Sequence, residues 1–149
     1  MLHVTSSTLF VIIKIAMKYL SSNIRIMSSP VMYHCDLPCG VYDPIQARIE
    51  AESVLAIMKK YHDSNDETFK MRALIIKESR AHLAKEHLWT LWSDYFKPEH
   101  IKEFPQLHEL FWNATKACSK VKASVDPKDA EELLNLIDQI DEIFKKTKK

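Results

Sequence analysis

The chain has 149 residues, 46% apolar and 28% charged, the size and balance of one globular domain with a real core. It holds a single glycine, Gly40, which argues against an all-β fold, since β-turns call repeatedly on positive φ. The net charge of +1 comes with no clustered basic face, which argues against a nucleic-acid partner.

Residues 1–33 differ from the rest. They carry Lys14, Lys18 and Arg25, no acid, and the serines Ser6, Ser7, Ser21, Ser22, Ser28 and Ser29. The apolar run Leu9-Phe10-Val11-Ile12-Ile13 is broken by Lys14 and Lys18 and is too short to span a bilayer. Basic, serine-rich and acid-free is the composition of a leader or transit segment. No positive region precedes the apolar run, as a signal peptide would require. A true start at Met17, Met27 or Met32 would dispose of much of the segment equally. The expectation is a leader or propeptide over 1–33, removed, and a folded domain over 34–149.

The folded part reads as helices in chain order. Asp43-Pro44 is an N-cap followed by proline at the first helical position. Ile45, Ile49, Ile57 and Tyr61 follow at roughly helical spacing, and His62-Asp63-Ser64-Asn65 breaks the pattern. A second helix is predicted from about Asp66 to Phe96, with Leu74, Ile75, Leu88, Trp89 and Trp92 as core candidates. Lys97-Pro98 ends it, because a residue before proline disfavours the helical region. A short turn over 98–104 leads to Pro105, which opens a third helix running to about Ala123. Asp126-Pro127 repeats the capping signal, and Leu133, Ile137, Ile140 and Phe144 form an i, i+4, i+7, i+11 stripe on a fourth helix. Four amphipathic helices with short connections pack best as an antiparallel four-helix bundle, an all-α fold.

Ahead of the first helix lies His34-Cys35-Asp36-Leu37-Pro38-Cys39-Gly40-Val41-Tyr42-Asp43-Pro44. Two thiols stand four residues apart, a histidine adjoins the first, and Pro38 and Gly40 shape the loop that returns Cys39. With Cys118 the chain has three cysteines; the odd count is no disulfide framework and suits a reducing compartment or thiolates held by a metal. Three readings compete: an incidental pair, a dithiol switch, whose usual C-x-x-C spacing is one residue shorter, and a metal site. Structural zinc asks for four separate side chains in a tetrahedron. Here only three are local, and two are adjacent, which suits a square plane joined by the backbone. With the chain cut before His34, its amine and the Cys35 amide nitrogen close one chelate ring, and that nitrogen with the Cys35 sulfur closes a second. The Cys39 sulfur takes the fourth corner and the His34 imidazole an axial position. Such a mixed N,S plane favours Ni(II) or Cu(II).

The eleven residues from His34 to Pro44, HCDLPCGVYDP, resemble the nickel-binding hook of nickel superoxide dismutases. The resemblance continues through Gln46-Ala47-Arg48-Ile49-Glu50-Ala51-Glu52-Ser53, and returns at Glu78-Ser79-Arg80, at His87-Leu88-Trp89 and from Trp92 to Pro98, so that it covers 34–149. It implies a four-helix bundle assembled as a homohexamer with one nickel ion per subunit. It also implies disproportionation of superoxide to oxygen and hydrogen peroxide, with nickel cycling between Ni(II) and Ni(III). In that family the hook is the amino terminus of the mature chain, exposed by a maturation peptidase. By matching position, the ligands are the amine and imidazole of His34, the amide nitrogen and thiolate of Cys35, and the thiolate of Cys39. Glu50 and Arg80 match the residues that hold the imidazole, Tyr42 and Asp36 match residues lining substrate access, and Tyr95 matches a tyrosine near the hook. Lys97 and Arg72 are candidates for steering the superoxide anion. In the uncut chain the His34 nitrogen is an amide, so that chain is expected to be inactive.

The alternative is a nickel- or copper-binding storage or delivery protein, which binds without turnover and needs no exposed His34 amine. No membrane association is expected. The cytoplasm is the expected compartment, or an organelle if residues 1–33 are a transit peptide. Outside the hook, His82 and His87 lie on different faces of one helix, and no glutamate has a histidine three residues on, as a ferritin-like site would need. Cys118 reads as a packed helical thiol. Trp89, Trp92 and Trp112 read as core or subunit interface.

Overall fold

The computed structural model describes residues 39–148, so residues 1–33, expected as a leader, and His34, Cys35, Asp36 and Pro38 lie outside the described residues. Five α-helices follow one another: α1 (Ile45–Asp63), α2 (Glu67–Thr90), α3 (Pro98–Glu103), α4 (Leu107–Ala123) and α5 (Pro127–Thr147). The helix starts are where side-chain acceptors stand. Pro44 is already helical at φ −61° and ψ −16°, and the Asp43 carboxylate accepts from the Ile45 amide at 2.9 Å. Asp66 accepts from the Thr68 and Phe69 amides at 2.8 and 3.2 Å, and Asp126 from the Lys128 amide at 3.0 Å.

Helix α2 does not run unbroken to Phe96. Its last turn, Leu91–Tyr95, is π-helical, and the Phe96 amide donates to the Leu91 carbonyl at 3.3 Å. Such a turn inserts one residue and re-aims the side chains on it, here Trp92 and Tyr95. Lys97 is extended (φ −121°, ψ 164°), as a residue before proline should be. The segment expected as a turn is instead α3, because Pro98 serves as well at a helix start as after a helix end. The Lys97 amide donates to His100 Nδ1 at 3.3 Å across that start. Helix α4 opens two residues beyond Pro105.

The four long helices close a ring in which α1 and α4 each pack on both α2 and α5, the antiparallel four-helix bundle the sequence predicts. The α5 stripe is buried as expected at Leu133, Ile137, Ile140 and Phe144. Fully burying each such side chain contributes roughly 1.5–3 kcal/mol before entropy is counted. The buried line of α1 differs from the expected one. It is Ala47, Ala51, Val54 and Met58, while Ile45 and Ile49 are 49% and 52% exposed. Alanines let the backbones approach closely, and Ala73, Ala81 and Ala84 do the same on α2, leaving Ile75 and Trp89 at the surface and only Leu88 of the expected large residues fully inside. Trp92 packs partly buried against the core, and Trp112 is exposed. Lys120 of α4 reaches Asp129 and Glu132 of α5 at 2.8 and 2.9 Å, and this contact holds the Asp129 carboxyl below its ordinary range.

One charged side chain is buried among the described residues. Lys77, 2% exposed on α2, donates to the carbonyls of Val121 and Lys122 at 2.6 Å and of Ser124 at 2.8 Å. It closes the carboxyl end of α4, where carbonyls lack helical partners and the helix dipole is negative.

Candidate metal centre

Cys39 stands exposed six residues ahead of α1, with its Sγ 3.9 Å from the Val41 carbonyl. Gly40, next in the chain, sits at φ +73°. A Cβ there would meet nothing within 4 Å, so the demand for glycine is conformational: the chain must turn through the left-handed region just after the cysteine. Tyr42 then packs half-buried against the core. Its ring lies 6.0 Å from that of Tyr95, tilted by 55°. The re-aimed π turn and the root of the hook thus bring together two tyrosines 53 positions apart.

Tyr95 is held on several sides. The Phe144 ring lies 4.6 Å away, Phe96 5.0 Å in an edge contact, and His100 5.7 Å in a stack. Its hydroxyl meets Thr147 Oγ1 at 2.9 Å. None of Phe144, His100 or Thr147 was marked for the site by the sequence, since contacts across so many residues leave no local pattern.

Glu50 on α1 and Arg80 on α2 form a pair. Arg80 Nη1 donates to both carboxylate oxygens, at 3.1 and 3.3 Å, and the Glu50 side chain is only 14% exposed. One oxygen pair of a largely buried carboxylate is thereby fixed in direction by a second helix. Arg48, one turn ahead of Glu52, donates to Glu52 at 3.0 Å and to Asp138 of α5. Beside it, a cleft of about 390 Å³ opens between Asp43, Pro44 and Ile45 at the root of the hook and Ile137, Phe144 and Lys145 of α5. Lys97 is exposed at the start of α3; Arg72 is exposed on α2, about 12 Å before Arg80 along the helix axis.

Among the described residues no three His, Cys, Asp or Glu side chains converge on a metal-sized site. His82 is exposed and pairs with Glu86 at 3.2 Å. A soft thiolate donor on a tight turn ahead of the bundle does fit nickel, which sulfur ligands suit. Cys118 is of another kind. It is buried on α4, and burial pushes its thiol up to about 12, against the pull of Lys85 and Lys122. Iodoacetamide at neutral pH should therefore modify Cys39 in the reduced native chain and spare Cys118 until denaturant is added. Peptide mass mapping reads this directly, and rapid native modification of Cys118 would refute its burial.

A helical bundle with a cysteine-bearing turn ahead of its first helix, and a carboxylate on that helix fixed by an arginine of the second, defines a small all-α protein with a candidate metal-binding segment at its amino-terminal side. The family model for nickel-containing superoxide dismutase matches residues 29–148. The nickel superoxide dismutase of Streptomyces seoulensis is 59% identical over 119 residues, 80% of this chain and 91% of that protein. That of Streptomyces coelicolor is 56% identical over the same length and shares. The native structure of a nickel superoxide dismutase superposes with a TM-score of 0.76 at 56% identity, covering 78% of this chain and 100% of that one. The chain belongs to the nickel-containing superoxide dismutase family. Its activity is the disproportionation of superoxide to oxygen and hydrogen peroxide, and its cofactor is nickel.

Proposed function

We propose that the reaction takes place at the hook, with His34 through its amine and imidazole, Cys35 through its amide nitrogen and thiolate, and Cys39 through its thiolate as the residues that hold nickel. When bound, nickel supplies the Ni(II)/Ni(III) couple that exchanges an electron with superoxide. The chain's own residues orient and enclose that exchange. Glu50 is read as the acceptor that would set the direction of the His34 imidazole, as carboxylates do for metal-bound histidines. Arg80 in turn keeps the Glu50 carboxylate from rotating. The observation that carries this reading is the two-oxygen contact of Arg80 with the largely buried Glu50. Tyr42 and Asp36 narrow the approach to a small anion, Tyr95 backs Tyr42, and Lys97 and Arg72 draw superoxide in. The storage or delivery alternative is disfavoured, since the relatives named above are dismutases.

Residues 1–33 are read as a leader that a maturation peptidase removes, freeing the His34 amine. Two observations support this. The family match starts at residue 29, close to His34, and the solved native chain, covered in full, matches 78% of this one, the share that 34–149 makes up. Assembly as a homohexamer is supported by the apolar surface the bundle leaves outside: Met71 and Ile75 at 66%, Trp89 at 50% and Trp112 at 57% exposed. The compartment is read as cytoplasmic, or an organelle if the leader is a transit peptide; no helix among the described residues is long and apolar enough to cross a membrane.

The test compares superoxide disproportionation, with Ni(II) supplied, by the chain beginning at His34, by the full-length chain and by a trimmed Cys35→Ser variant. Activity is expected in the first alone. Comparable activity in the full-length chain would remove the need for processing and for the His34 amine.

A further inference from the structure

The hydroxyl of Tyr95 and that of Thr147, at the last turn of α5, are 2.9 Å apart, and either could donate on distance alone. A second contact decides the direction. Thr147 Oγ1 also stands 2.8 Å from the Phe144 carbonyl, which can only accept. A threonine hydroxyl carries one proton and two lone pairs. Satisfying both contacts spends the Thr147 proton on Phe144 and leaves a lone pair for Tyr95, so Tyr95 is the donor. The phenol proton of Tyr95 is thereby committed to α5, and its oxygen presents lone pairs to the rest of its surroundings.

The ring contacts make this one hydrogen bond decisive. Phe144, Phe96 and His100 fix the plane of the Tyr95 ring, but none of them acts on its hydroxyl. Phe144 contributes twice, through its ring against Tyr95 and its carbonyl against Thr147. The Tyr42 ring also lies against Tyr95, 6.0 Å away and tilted by 55°. We infer that Thr147 is a positioning residue for the dismutase reaction: it fixes the phenol proton of Tyr95 and, through Tyr95, the seat of Tyr42 at the root of the hook. The inference rests on the reading above that places Tyr42 and Tyr95 beside the reacting hook.

The test has two readouts. In the full-length chain without metal, tyrosine labelled with ¹³C at Cζ gives a resonance for Tyr95 that is assigned by its loss in Tyr95→Phe. Thr147→Val is expected to shift that resonance, and Thr147→Ser to leave it in place. In the nickel-loaded enzyme, Thr147→Val and Tyr95→Phe should each lower kcat/KM by about fivefold, the scale of one hydrogen bond. The double variant should lose no more than Tyr95→Phe alone, because Thr147 acts only through the hydroxyl that Tyr95→Phe removes. Thr147→Ser should retain full turnover. An unshifted Tyr95 resonance in Thr147→Val, or losses that multiply in the double variant, overturns the inference. A shifted resonance with undiminished turnover in Tyr95→Phe upholds the Thr147 contact and overturns instead the placement of Tyr95 beside the hook.

Discussion

Cys39→Ser in the matured enzyme is expected to abolish nickel-dependent turnover while leaving the bundle intact. The loss should be on the order of a thousandfold or more, the scale on which removing one member of a catalytic unit acts. Serine keeps the shape of the side chain and exchanges a soft, polarisable donor for a hard oxygen that suits nickel poorly and stays protonated at neutral pH. Cys39 is exposed, precedes α1 and stands outside the buried core cluster. The unfolding free energy in urea should therefore stay within about 0.5 kcal/mol of the parent, as for surface replacements generally. Bound nickel, turnover and urea unfolding measured on one preparation separate the possibilities. Turnover above a tenth of the parent value would remove Cys39 from the ligand set. A large fall in stability would show instead that the turn through Gly40 helps to hold the bundle.

The family was legible in the sequence because the motif that carries the resemblance is local. Six residues contain both thiols, the histidine and the turn-forming proline, and ligand spacing is a property of a short stretch of chain. The caps read from Asp43-Pro44 and Asp126-Pro127 were legible for the same reason: each aspartate acts on an amide two residues away. The buried face of α1 was not. Ranking by apolar size points to Ile45 and Ile49, whereas the bundle buries Ala47 and Ala51, because close helix approach selects for small side chains and leaves large ones outside. Glu50 and Arg80 look like ordinary solvated charges in sequence. Only the packing of α1 on α2 joins them. The support of Tyr95 by Thr147, 52 positions away, is likewise a product of the bundle closing.

Lys77 is the other feature that periodicity hides, and it carries the largest expected effect on stability. A lysine on the inward face of α2 reads as an error in the stripe, yet its ammonium meets three carbonyls at the end of α4. Burial lowers its pKa, and the neighbouring Glu78 acts the other way. The three carbonyls and the negative end of the α4 dipole also favour the ammonium. Two effects compete when it is replaced by methionine of similar volume. Removing a buried charge relieves its desolvation, and replacing a buried ion pair by apolar groups is often neutral or stabilising. Lys77 differs from such a pair because its partners are backbone carbonyls, which the substitution leaves in place. Each buried acceptor left without a donor costs about 1–3 kcal/mol. Ser124 is half-buried and can turn to water, whereas Val121 lies fully inside. The net expectation for Lys77→Met is therefore a loss of about 3 kcal/mol, after partial hydration and the relieved desolvation are set against the orphaned acceptors. Urea unfolding of the full-length chain, followed by helical circular dichroism, measures it. An unchanged midpoint would mean that desolvating the ammonium costs as much as its three hydrogen bonds return, and that α4 ends as well without its lysine.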